Sequence, residues 1–100
     1  MASPELNFEW DRQKASSNLR KHGIAFERAA FVFSDPEAIT IFDPEHSEGE
    51  DRWITLGLDS HGILVLVSHT WREDERGRSR CRIISARKAT AREIRQYHGD

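Results

Sequence analysis

Apolar residues recur along this chain with two periods, and the changes of period mark its elements. In residues 52–58, RWITLGL, Arg52, Ile54, Leu56 and Leu58 fall on one side of an extended backbone and Trp53, Thr55 and Gly57 on the other, the period of a strand. Residues 63–68, ILVLVS, are apolar on both sides, as at the centre of a sheet, and His69-Thr70-Trp71-Arg72 should carry this strand toward the sheet end. Asp59-Ser60-His61-Gly62 between the two reads as a hairpin turn. Residues 37–42, EAITIF, are β-branched and aromatic enough for a further strand, ended by Asp43-Pro44. Near the start, Leu6, Phe8 and Trp10 alternate with Asn7 and Glu9 in the pattern of a half-buried strand.

Helical spacing appears in three places. Asp11 is placed as an N-cap for a helix running to His22, with Ala15, Asn18, Leu19 and His22 on one stripe and Gly23 as the residue that closes it. Phe26, Ala29, Ala30 and Phe33 predict a second helix over residues 26–33, stopped by Ser34-Asp35-Pro36. Thr90 and Glu93 form a capping box that opens a helix over residues 91–98, with Gly99 at its end. Before it, residues 80–87 read as a strand with Cys81, Ile83, Ser85 and Arg87 on one face and Arg82, Ile84 and Ala86 on the other. The order β-α-α-β-β-β-β-α predicts an α+β fold. Its last four strands should form an antiparallel meander within a mostly antiparallel sheet of four to five strands, with the two N-terminal helices on one face and a short C-terminal helix.

Composition narrows this. One hundred residues suit a single domain, 1–100, and 37% apolar with 32% charged residues describes a globular chain. No apolar run approaches the roughly 18 residues of a membrane span, and MASPELNFEW has neither the basic nor the apolar part of a secretory signal, so a cytoplasmic protein without membrane contact is expected. The single cysteine, Cys81, has no internal partner and reads as a small buried hydrophobe. Net charge is −2 but polarised: residues 1–50 hold 5 basic and 10 acidic side chains, and residues 72–100 hold 9 basic and 5 acidic. Such asymmetry can make an anion-binding face on a weakly acidic protein. Residues 43–51, with five carboxylates, Pro and Gly, read as an exposed loop.

The candidate chemistry follows from what is missing as much as from what is present. No C-x-x-C, H-x-x-x-H or H-E-x-x-H spacing suggests a metal site, no glycine-rich nucleotide loop occurs, and no G-x-S-x-G elbow marks a hydrolase nucleophile, so no cofactor is expected. The basic constellation is the sharper clue: Arg82, Arg87, Lys88, Arg92 and Arg95 gather around one strand end and one helical turn, a place for a phosphate. Arg52 joins them as a strand arginine, more rigidly held than one on a loop. Each could instead pair with one of the 17 carboxylates. His69, beyond an apolar strand and beside Trp71 and Arg72, is the candidate proton-transfer group. His22 is accounted for by its helix C-terminus, and the three tryptophans by the core.

FEWD at 8–11, Lys14, Asn18, KHG at 21–23 with Phe26 and Ala29, HSEGEDRW at 46–53, and RIISARKAT at 82–90 followed by Tyr97 together resemble the BrnT family of type II toxins, over almost the whole chain. The resemblance implies a RelE-like fold and a ribonuclease that arrests growth by cutting RNA and inhibiting translation. It also implies a BrnA-type antitoxin that neutralises the toxin and binds operator DNA, which the toxin would reach only through that complex. Such a nuclease needs no metal when the RNA's own 2′-OH attacks the adjacent phosphate. On this reading Arg82 and Arg87 hold the scissile phosphate and His69 transfers the proton. Arg52, Lys88, Arg92 and Tyr97 contact RNA phosphates. The same basic cluster would also serve a nucleic-acid-binding or antitoxin-docking module without catalysis.

Overall fold

The computed structural model describes residues 6–99. In chain order the elements are β1 (Leu6–Glu9), α1 (Arg12–His22) and α2 (Phe26–Ala29), the last continued by a 3-10 turn (Ala30–Ser34). Then come β2 (Ile39–Asp43), a short 3-10 turn (Pro44–His46), β3 (Arg52–Leu58), β4 (Leu64–Glu73), β5 (Ser79–Lys88) and α3 (Ala91–His98). The expected second helix is therefore α-helical for one turn only, whereas the central strand continues through His69-Thr70-Trp71-Arg72 as expected and ends at Glu73.

The five strands make one sheet in the order β1-β5-β4-β3-β2. β2 to β5 are the antiparallel meander, whereas β1 lies parallel to β5 with Phe8 beside Cys81 and Glu9 beside Arg82. β1 is short, and beyond it the edge of β5 would be bare. Asn18 of α1 fills the gap. Its Nδ2 donates to the Ala86 carbonyl at 2.8 Å and to the Ile24 carbonyl at 3.0 Å, and its Oδ1 accepts the Ala86 N–H at 3.0 Å. A buried amide thus stands in for a missing strand.

α1 is positioned by its caps: the Asp11 carboxylate accepts from the Gln13 and Lys14 amides, and Gly23 takes the left-handed φ of 70° that ends it. The core is built on one face of the sheet, where Ile24, Phe26, Ala29 and Val32 pack on Val65, Val67, Cys81, Ile83 and Ala86. Gly57 lets Val32 and Ala38 approach β3 closely, since a Cβ there would stand 3.2 Å from either side chain. Arg28 ties α2 to the β3–β4 hairpin through two hydrogen bonds to Asp59 Oδ2, while Asp59 Oδ1 accepts the His61 and Ile63 amides that close the turn.

One expectation about β5 is overturned. Ser68 pairs with Ser85 but His69 pairs with Ile83, so Ile84 is an extra residue, a β-bulge. After it the alternation is inverted. Cys81, Ile83 and Ala86 share the core face, and Arg82, Ser85 and Arg87 share the other; Cys81, Ile83, Ser85 and Arg87 do not lie on one face. α3 has the capping box read from sequence, with Thr90 Oγ1 accepting the Glu93 amide and Glu93 accepting the Thr90 amide, and Gly99 closes it at φ 79°. Its Tyr97 hydroxyl donates to Asp35 Oδ2 at 2.6 Å, which fixes the helix to the turn before β2. Among the described residues no helix is long and apolar enough to cross a membrane.

Candidate nucleic-acid interface

The sheet face away from the core carries three long cross-strand rows, flanked by Leu58 with Leu64 at one end and by Arg72, Arg80 and Asn7 at the other. Ile39, Leu56, Leu66 and Arg87 make the first and Ile41, Ile54, Ser68 and Ser85 the second. In the third, Asp43 pairs with Arg52, and Thr70, Arg82 and Glu9 follow, since Arg52 precedes the Trp53–His69 pair by one residue. α3 stands over the first row and leaves a cleft of about 250 Å³ lined by Ile39, Ile41, Ile54, Leu56 and Leu66 together with Glu93 and Gln96. Ile39 and Ile41 are exposed at its rim.

Arg82 and Arg87 thus face the same way but sit two rows apart, a backbone separation of about 13 Å at 3.3 Å per residue. Each has a carboxylate partner. Arg87 reaches Glu93 through a bidentate pair at 2.8 and 2.9 Å, and Glu93 Oε1 also receives the Thr90 amide. That fork holds the Glu93 carboxyl down at about 2 and raises the pKa of Arg87. Arg82 binds Glu50, and the same carboxylate accepts from Arg72 at 3.2 Å. Arg72 pairs with Arg80 and Thr70 with Arg82, which makes Arg72 and Arg82 diagonal neighbours on this face. Two guanidiniums so placed repel unless an anion lies between them.

The remaining predicted residues divide. Arg52 joins Arg82 in the third row. Arg92 is exposed in the first turn of α3, and Lys88 pairs with Val65 at the end of β5, past the bulge. Tyr97 is committed to Asp35, and this hydrogen bond pushes its hydroxyl up to about 12. His69 is not brought to the arginines at all. Its ring lies on the core side, fully buried between Phe33 and Trp71, with Nε2 at 2.7 Å from Thr55 Oγ1 and Nδ1 unpartnered; burial pushes its pKa down to about 4. A group without solvent or substrate access cannot pass a proton to RNA on the opposite face, so the expectation of proton transfer by His69 is corrected on geometry.

Sequence reasoning missed Glu50 and Arg72. Glu50 lies in a loop of five carboxylates that looks evenly solvated, and only its contacts with Arg72 and Arg82, 22 and 32 positions away, single it out. The loop is fixed by Ser47, whose hydroxyl donates to the Asp43 carbonyl at 2.6 Å and accepts the Arg52 amide at 2.9 Å.

Comparison with known proteins places this geometry in context. The family model described as the ribonuclease toxin BrnT of type II toxin-antitoxin systems matches residues 10–93. The fold is similar to the 1.1 Å crystal structure of the Brucella abortus ribonuclease toxin BrnT, with a TM-score of 0.59 and 24% identity over 86% of this chain and 99% of that one. No curated protein matches the chain.

Proposed function

Because the chain belongs to the BrnT family of ribonuclease toxins of type II toxin-antitoxin systems, we propose that it is a RelE-like endoribonuclease of the cytoplasm that cuts RNA without a metal and so inhibits translation. In this mechanism the RNA 2′-OH attacks its own 3′-phosphate, and the protein aligns the groups, moves a proton and stabilises the charge that builds on phosphorus. The observation that carries the reading is the pair of diagonal arginines, Arg72 and Arg82, bridged by one carboxylate on the face the core leaves open. An arrangement that needs an anion between two guanidiniums can take a phosphate there.

Arg82 is assigned to the scissile phosphate, with Arg72 and Arg52 beside it. Arg87, two rows away, together with Arg92, is assigned to neighbouring phosphates and Tyr97 to anchoring α3, while Lys88, paired with the core residue Val65, leaves β5 on the opposite face and is left out of the site. His69 is given a structural role. A BrnA-type antitoxin that binds operator DNA would neutralise the toxin by covering this face or its rim.

The test is incubation of purified protein with RNA in EDTA. Fragments ending in 2′,3′-cyclic phosphate are expected from the free toxin and none from the toxin bound to its antitoxin. Binding of a 2′-deoxy analogue should weaken with salt at a log-log slope of about −2, for three phosphate contacts at about −0.7 each. Binding without cleavage would favour a non-catalytic module instead.

A further inference from the structure

The open face holds arginines in abundance, but catalysis by 2′-OH attack also needs a proton acceptor. His69 is buried on the wrong side, and the Tyr97 hydroxyl donates to Asp35. Glu93 is fully engaged: its carboxylate receives both arms of Arg87 and the Thr90 amide, and it caps α3. Glu50 is differently placed. It projects from the loop before β3, anchored by Ser47, its side chain is 35% exposed, and it contacts the two arginines of the phosphate site, Arg82 through Oε1 and Arg72 through Oε2. A carboxylate has about four lone-pair positions, so two guanidinium contacts leave acceptor capacity.

We propose that Glu50 is the general base of the cleavage reaction, released to act when the scissile phosphate takes its place against Arg82. This inference rests on the ribonuclease reading above. Without RNA, Glu50 neutralises two arginines that would otherwise repel. When RNA enters, the phosphate competes for the Arg82 fork, and the displaced carboxylate is left beside the sugar that carries the attacking hydroxyl. The 2′-oxygen then forms its bond to phosphorus as its proton passes to Glu50. The bond from phosphorus to the 5′-oxygen breaks with its electron pair on that oxygen, which takes a proton from water, and Glu50 returns its proton to solvent. The products are a 2′,3′-cyclic phosphate and a free 5′-hydroxyl.

Glu50→Gln keeps the shape and removes the basicity. It should lower the single-turnover cleavage rate about a hundredfold, in the range of one general base, while binding of a 2′-deoxy RNA analogue stays equal to or tighter than wild type. Glu50→Ala should regain part of the lost rate in added formate, a small carboxylate able to enter the vacated space, and circular dichroism checks that both variants are folded. If wild-type protein cuts RNA and Glu50→Gln cuts it equally fast, the base is another group and the proposal is overturned while the ribonuclease reading stands. It is overturned likewise if Glu50→Gln loses analogue binding in proportion to rate and Glu50→Ala is not rescued, because Glu50 is then only a positioning residue. Wild-type protein that cuts no RNA overturns the ribonuclease reading and this proposal together.

Discussion

Replacing His69 by Leu should flatten the acid side of the stability curve. Phe33, Trp71 and Thr55, which pack against its ring, carry no charge to welcome an imidazolium, and Thr55 Oγ1 is already shared with Thr40 Oγ1 at 2.8 Å. Burial therefore dominates and brings the pKa from 6.5 to about 4, with the Thr70 backbone offsetting it only in part. Between those two values the unfolded chain binds a proton that the folded chain refuses. The stability involved is complete above pH 6.5 and is lost as the pH falls toward 4, by about 2 kcal/mol at pH 5 and about 3 kcal/mol at pH 4. Carboxyls held low in the fold, Glu93 at about 2 with Asp35 and Asp59 also below their ordinary range, add their own acid losses only below about pH 4.5, so the interval from 7 to 5 isolates the histidine. The assay is urea unfolding at pH 7, 6 and 5, followed by tryptophan fluorescence. Wild type should lose about 2 kcal/mol more than His69→Leu across that interval. Leucine has nearly the same volume and leaves the Thr40–Thr55 hydrogen bond in place, so a folded variant is expected. Parallel curves would refute the reasoning, for they would mean that the imidazole is hydrated, or already charged, inside the fold.

Two other changes probe the scaffold. Asn18→Leu removes three buried hydrogen bonds and bares the Ala86 amide at the edge of β5, so it should cost about 3 kcal/mol in urea unfolding; Asn18→Asp should be no better, because a carboxylate cannot donate to the Ala86 and Ile24 carbonyls. Arg87→Ala should leave the chain folded and cost about 1 kcal/mol, since the arginine side chain is 39% exposed and solvent screens its pair with Glu93. The loss should appear as faster amide exchange confined to α3, with a smaller fall in RNA cleavage than Arg82→Ala produces and little rescue by Arg87→Lys, which lacks the fork.

What is legible in this sequence is what a few neighbouring residues decide. Asp11 and Gly23 bound α1, Thr90 with Glu93 and Gly99 bound α3, and residues 52–58 carry their alternation openly, so these elements follow from the chain alone. The parallel seat of β1 and the service of Asn18 as a surrogate strand depend on residues 68 positions or more away, and no local pattern announces them. The bulge is harder still. RIISARK alternates well enough whether or not Ile84 is paired, yet one unpaired residue exchanges every side chain beyond it between the faces of the sheet. Arg82 and Arg87 are five positions apart, an odd spacing that a regular strand would place on opposite faces. With Ile84 set aside they face the same way, and Ala86 turns inward to complete the core. The histidine misreading has the same long-range origin. His69 shares its row with Trp53 and Ile83, so its side is fixed by partners on both neighbouring strands, and those partners turn it under Phe33. Burial on one face and charge on the other are thus set by a single register, which is why a site assembled from the composition of residues 80–98 finds Arg82 but neither Arg72 nor the carboxylate that bridges the two.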